Sequence, residues 1–201
     1  IASLTSLVIY LVPLIALILG YDAIIGERER GSLDLLLSLP VTRLELLLGK
    51  YLGLALALGA SILAGFGLAG VALSYGVGLE ALYHYAGFML STLLMGLAFL
   101  SIALLVSVLA TNKVAASGAA VVLWFFFVLV YDLILLGILV ATEGRYTGAA
   151  FPVLLLLNPA DIYRILNDET RGAPADWDQR FREAIAAGKV PWTAPAPTRQ
   201  D

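Results

Sequence analysis

Residues 26–50 read GERERGSLDLLLSLPVTRLELLLGK. Four acids, Glu27, Glu29, Asp34 and Glu45, and four bases, Arg28, Arg30, Arg43 and Lys50, are set among leucines. The stretch is therefore neither a plain solvated loop nor a membrane span. Leu33, Leu36, Leu37 and Leu39 among these charges predict an amphipathic helix lying beside a membrane, over 31–39. Pro40 ends it, because the residue before a proline avoids the helical region. Thr42-Arg43-Leu44-Glu45 has the spacing of a capping box, in which hydroxyl and carboxylate each satisfy a backbone N–H at a helix start. A second helix is thus predicted to run from there through Lys50 into the next apolar run. The segment reads as helix, proline turn and helix, joined rigidly to what lies on either side.

What lies on either side is apolar. No charged residue occurs from Ile1 to Tyr21 or from Tyr51 to Leu79. From Ala81 to Asn112 only His84 can titrate near neutrality, and from Val114 to Thr142 only Asp132 is charged. A helix needs ~20 apolar residues to cross the hydrocarbon core, so each run holds one span. The spans are read at about 1–21, 51–74, 86–110 and 115–141. The runs are continuously apolar and do not alternate at period two, which argues against strands. Composition agrees: of 201 residues, 61% are hydrophobic and 13% charged, against the ~25% charged of soluble domains. These figures exclude a soluble enzyme and a disordered chain. A net charge of −3 offers no basic footprint for nucleic acid, and the absence of cysteine excludes disulfides and thiolate metal sites. The fold class expected is an all-α, polytopic membrane helical bundle surrounded by lipid.

Arg28, Arg30, Arg43 and Lys50 lie between the first two spans and Lys113 lies in the tight turn 111–114, whereas 75–85 has Glu80 and no base. This alternation puts 22–50 and Lys113 in the cytoplasm and 143–201 outside. The apolar stretch Ala149–Leu157 is too short to cross, and Asn158-Pro159 comes directly after it, a helix cap and a first-turn proline. Two short re-entrant helices over 149–167 are expected, completing a transmembrane domain over 1–167. Residues 168–201 read as a polar extracytoplasmic tail with a short helix carrying Trp177, Phe181 and Ile185, stopped at Gly188. The chain starts with Ile1 inside an apolar run, so a preceding segment is expected.

A membrane-surface helix usually carries an excess of Lys and Arg, and the balanced charge of 27–50 instead favours docking of a soluble partner. Glu27, Glu29, Gly31, Ser32, Leu33, Leu35 to Leu37, Pro40, Val41, Arg43, Leu46 to Gly49 and Lys50 resemble the first cytoplasmic loop of type-2 ABC transporter permeases. That resemblance implies a coupling helix docked in a groove of an ATPase subunit. It assigns Glu27, Glu29, Gly31, Ser32, Leu33, Leu36, Pro40, Arg43 and Lys50 to the contact. It also implies a second permease copy, a bacterial inner membrane location, and six spans, of which these four would be the second to fifth. Ser117 to Ala120, Trp124, Tyr131 to Leu133 and above all 154–167 are similar to the branch of the family that serves maturation of the copper enzyme nitrous oxide reductase. In that branch a periplasmic partner is implied, with Asn158, Pro159, Asp161, Tyr163 and Arg164 as its contact.

Several other residues carry a reading of their own. Asp132 is the only charged residue within a span, where a charge costs ~2.5–3.5 kcal/mol and faces a partner or water. It reads either as a contact in a translocation path or dimer seam, or as one end of a structural hydrogen bond. Asp22 reads as an exposed helix end. Gly53, Ala57, Ser61, Gly65 and Ala69 form a small-residue face suited to helix packing. Trp124 to Phe127 read as lipid contact or a dimer seam, and Tyr75, Tyr83 and Tyr85 as an interfacial belt. His84 with Met89 and Met95 cannot build a conventional copper or zinc site. The pair Gly49-Lys50 is followed by Tyr51 and preceded by Leu44 where a phosphate-binding loop needs Ser or Thr and glycine. No ATPase motif is therefore present, and the chain is read as non-catalytic, with ATP bound by a partner. The competing reading is an ion-coupled carrier using Asp132 and Asp22 as proton sites.

Overall fold

The computed structural model describes residues 2–38, 40–74, 79–141 and 150–169. The expected tail helix with Trp177, Phe181 and Ile185 lies outside the described residues, as do Tyr75 and the side chain of His84. The chain divides into two units, residues 1–167 and 168–201. The helical bundle belongs to the first unit.

Among the described residues every regular element is helical. Helix α1 (Ala2–Gly20) leads through a turn into α2 (Ile25–Glu29) and α3 (Ser32–Leu37). Helix α4 (Arg43–Ser74) and α5 (Leu79–Leu109) are long and nearly uninterrupted. The next long helix consists of α6 (Lys113–Phe125), a π-helical turn (Phe126–Val130) and α7 (Tyr131–Ala141). Two short helices, α8 (Ala150–Leu156) and α9 (Pro159–Glu169), are the last elements among the described residues. Among the described residues four stretches are long and apolar enough to cross a membrane: Thr5–Glu29, Arg43–Val71, Tyr85–Leu109 and Lys113–Ala141. The four expected spans are present and the chain is a multi-pass membrane bundle.

The hub is α5, which packs against α1 on one side and α4 on the other, while α6 lies along α1. Val8, Val12, Ala16 and Leu17 of α1 meet Phe99, Leu100 and Ala103 of α5, and Leu58 and Ile62 close the core from α4. The approach of α1 to α5 is close at Gly20, where an added Cβ would stand 2.6 Å from the Ala103 Cβ. Only a residue without a side chain permits that spacing. Phe127 joins the core edge-on against Phe99, and Trp124 donates from its ring nitrogen to the Tyr10 carbonyl at 2.9 Å. Two of the four aromatics at 124–127 therefore fix α6 to α1 and α5, and Phe125 and Phe126 face outward. Tyr85, expected at an interface, donates to the Phe66 carbonyl and stacks on Phe88.

Three local expectations changed. The amphipathic helix predicted over 31–39 is preceded by a separate short helix, because Gly31 adopts a left-handed conformation (φ 72°) and breaks the chain direction between α2 and α3. The fourth span is not a continuous α-helix but carries the π turn at 126–130. The small face of α4 turns away from this bundle: Gly53, Ala57, Ser61, Gly65 and Ala69 are exposed, and Leu58 and Ile62 make the contact.

Candidate functional site

The connection between α1 and α4 and the one between α5 and α6 meet at one end of the bundle. Helix α2 has five residues, too few to hold itself together, and its ends are satisfied by neighbours. The Ser107 hydroxyl of α5 accepts from the N–H groups of Ile24 and Ile25 at 2.9 and 3.0 Å, capping α2 from outside. Arg28 in turn satisfies the end of α5, donating to the carbonyls of Ala110 and Val108 at 3.2 and 3.3 Å. Glu29 accepts from the backbone N–H of Lys113 at 2.6 Å, at the first residue of α6. A cation on the last carbonyls of one helix and an anion at the first amide of the next both follow the helix dipole. On the other side, Lys50 of α4 donates to Glu27 at 2.5 Å and to the Ala23 carbonyl at 2.7 Å. Asp22, expected to be simply exposed, pairs with the Lys113 ammonium at 2.8 Å. This pairing needs Gly26, since a Cβ there would lie 2.4 Å from an Asp22 carboxylate oxygen. A cleft of about 380 Å³ lies beside this cluster, lined by Leu19, Asp22, Glu27, Arg30, Lys50 and Leu54.

Beyond Gly31 the character changes. Ser32 donates to the Glu27 carbonyl, but Asp34 and Leu35 of α3 point outward, Leu35 with 72% of its surface exposed, and Leu33 and Leu36 are half-buried. Pro40, Val41, Arg43 and Leu44 are exposed as well. The capping box forms as its spacing predicts: Thr42 N–H and hydroxyl both donate to Glu45 at 2.7 and 2.8 Å, and Glu45 N–H donates to the Thr42 hydroxyl at 3.2 Å. Of the residues expected to touch an ATPase, Glu27, Glu29 and Lys50 are thus engaged within the chain. Ser32, Leu33, Leu36, Pro40 and Arg43 sit on or beside the outward element, with Gly31 as the corner between the two groups.

At the opposite end, α9 inserts against α5 and the π turn. Pro159 opens the helix and Asn158 caps it, accepting from Ala160 N–H at 3.0 Å. The Asn158 amide also donates to the Phe127 carbonyl at 2.8 Å and to Asp161 at 3.0 Å. Widening a helix by one residue per turn leaves carbonyls open to outside donors, and Phe127 lies in that turn. Tyr163 is buried beside Thr92 and Phe88, and Asn167 donates to Ser91 at 3.0 Å. Arg164 grips Asp132 through two bonds of 3.2 and 2.9 Å and reaches Asp161 at 3.0 Å. Asp132 is therefore one end of a structural ion pair. Burial first, and then the neighbouring Asp132, push Asp161 up to about 6, against the pull of Arg164. Asn158, Asp161 and Tyr163 are buried in this cluster, and Pro159 and Arg164 are half-buried.

The chain matches the model of the ABC-2 family transporter proteins over residues 2–196. This protein belongs to the ABC-2 transporter family. It is 49% identical over 171 residues to a probable ABC transporter permease protein NosY of Stutzerimonas stutzeri, covering 83% of this chain and 62% of that one. It is 47% identical over 201 residues to a probable ABC transporter permease protein NosY of Pseudomonas aeruginosa, covering 98% of this chain and 70% of that one. The chain thus spans somewhat under two thirds of the length of the first of these relatives.

For this ABC-2 chain the contributions of Ser107, Val108 and Ala110 were invisible in the sequence. Two of the three act through backbone carbonyls, which no side-chain motif reports. Ser107 sits in an apolar run as one small residue among several. Phe127 likewise contributes a carbonyl. Arg164 as the partner of Asp132 had one available signal: an arginine on a short helix outside the spans, in a chain whose only intramembrane charge needed a cation.

Proposed function

We propose that this chain is the membrane-spanning core of a permease subunit that couples ATP hydrolysis by a separate ABC ATPase to movement of a substrate or to a periplasmic partner. The observation that carries it is α3 with its flanking turn. This short amphipathic element is held off the bundle by Gly31 and Thr42, and it presents Leu35, Val41, Arg43 and Leu44 outward beside a platform tied to every span. Such a surface suits a helix-in-groove contact, in which apolar anchors enter the groove and the surrounding charges set register. The ATPase would be NosF-like, a second permease copy would complete the membrane part, and a NosD-like periplasmic protein would sit on the outer segment around α9. The location is the bacterial inner membrane, and the process is copper-enzyme (nitrous oxide reductase) maturation. The likeness to two proteins named NosY supports the last three. The carrier reading has less support, since Asp22 and Asp132 are both held by cations, Lys113 and Arg164.

The test replaces Leu36 and Arg43 by Asp in the full-length protein and measures co-purification of the ATPase from detergent. At least a tenfold loss is expected, the equivalent of about 1.4 kcal/mol. Undiminished association removes the docking assignment.

A further inference from the structure

We infer that Arg28 and Glu29 are not part of the ATPase contact but positioning residues of an internal clamp, which makes the cytoplasmic ends of the first, third and fourth spans move as one body with the docking element. The inference rests on the docking reading for the source of the movement and on geometry for the clamp itself.

The second cytoplasmic connection is only Ala110 to Asn112, between the last residue of α5 and the first of α6. It is too short to carry a docking helix of its own. Movement arriving at α3 could reach α4 through the Thr42 cap, but α5 and α6 have no covalent route to it except through the whole length of α4. The side chains of α2 supply one. Arg28 holds the end of α5 and Glu29 the start of α6, residues 82 and 84 positions away in sequence from their donors or acceptors. Ser107 holds the start of α2 in return. Asp22 and Lys113 add a second tie between the end of α1 and α6, and Glu27 with Lys50 ties α2 to α4. Every side chain of the Glu27-Arg28-Glu29 run thus goes to a different helix. Three of these bonds, two from Arg28 and one to Glu29, join a charged side chain to a backbone group at a helix end, and they are directional and cannot slide without breaking. Because α3 follows α2 directly after Gly31, a pull on α3 is delivered to α5 and α6 at the same moment as to α4.

These 201 residues hold no cysteine, so paired spin labels need only the replacement by serine of any cysteine elsewhere in the full-length protein. Arg30→Cys, directly after α2, and Val114→Cys on α6 are both at exposed positions and take no part in the clamp. The distance distribution between labels is read by pulsed electron resonance in the full-length protein, alone and with its ATPase plus ATP and vanadate. Expected is a narrow distribution that nucleotide does not shift. With Arg28→Ala and Glu29→Ala added, the distribution becomes about twofold broader, as a locally opened segment does, and moves with nucleotide. Arg28→Lys with Glu29→Gln keeps a donor and an acceptor and restores the narrow form, which separates the clamp from general misfolding. ATPase co-purification stays within about twofold of the unsubstituted protein in all three. Equal widths in the three proteins overturn the clamp. So does a nucleotide-driven shift in the native pair as large as in the alanine variant. A clamp that stays narrow while Leu36→Asp and Arg43→Asp leave the ATPase bound overturns the docking reading alone.

Discussion

The guanidinium of Arg164 spans both carboxylate oxygens of Asp132, 32 residues earlier in the chain, and so ties a short outer helix to the fourth membrane span. The pair is about one third exposed on each side, between the extremes of a surface bridge and a buried one. It also shields Asp132 from Asp161, which shares the same arginine.

Replacing Arg164 by Ala leaves those two carboxylates facing each other without a cation. The expected loss of stability is about 2 kcal/mol, below the ~3–5 kcal/mol of a fully buried pair broken on one side. Asp132→Asn, which keeps an acceptor, costs less. A double-mutant cycle of Arg164→Ala and Asp132→Asn, read from melting in detergent, should show non-additivity. Strict additivity would mean that the bridge contributes nothing.

Asp161 gives the outer cluster a pH dependence. Its carboxyl is raised from 3.8 to about 6 by burial and by Asp132. A raised acid favours the fold in its protonated form, so its contribution is full below pH ~4 and is lost as pH climbs through about 6. The shift of about two units corresponds to roughly 3 kcal/mol at most. Relative to Asp161→Asn, the native protein should therefore lose melting temperature between pH 4 and pH 6 and run parallel above that. Parallel curves from pH 4 upward would show that Asp161 titrates as an ordinary carboxyl.

The start of α4 depends on the Thr42 and Glu45 box, in which each residue satisfies a backbone N–H of the other. Thr42→Ala should cost about 1 kcal/mol and increase hydrogen exchange at the amides of 44–46. Exchange that is unchanged in Thr42→Ala at neutral pH would show that the cap does not hold the helix end.

Gly31 sets the corner between the fixed and the outward helices. Gly31→Ala should cost about 1 kcal/mol and Gly31→Val more, with Gly31→Asn the mildest, because only small polar residues share glycine's tolerance of positive φ. Melting temperatures of the three variants check the order. A valine variant as stable as the native protein would mean that the corner relaxes freely.

The parts of this fold legible in the sequence were those whose cause is local. Uninterrupted apolar runs marked the spans, Thr42 and Glu45 marked a helix start three residues wide, and Asn158-Pro159 marked another. The site was legible only as a segment. In residues 26–50, charge balance suggested a partner, yet it could not separate Glu27, Glu29 and Lys50, which bond to other helices of the chain, from Arg43, which is exposed on the outward element. That division depends on where the ends of α5 and α6 arrive. These ends are brought together by packing over more than eighty residues of chain, and pairwise spacing does not encode it. The π turn had no signal either, since Phe126 to Val130 would suit an ordinary helix equally well.

The π turn lets the fourth span absorb a change in length. Such a turn is an α-helix holding one extra residue, and each residue turns a helix by about 100°. Deleting a single residue from 126–130 would let the backbone close into an ordinary helix with no broken bond. Everything beyond would keep its direction, because the wide turn holds the extra residue locally, whereas closing the turn with no residue removed would rotate everything beyond by about 100° and carry Asp132 off the line of Arg164. The inner half of the span, with Trp124 on Tyr10, would not register the change. Whether that one turn is wide or closed therefore acts as an angular setting between the outer and inner halves of the fourth span.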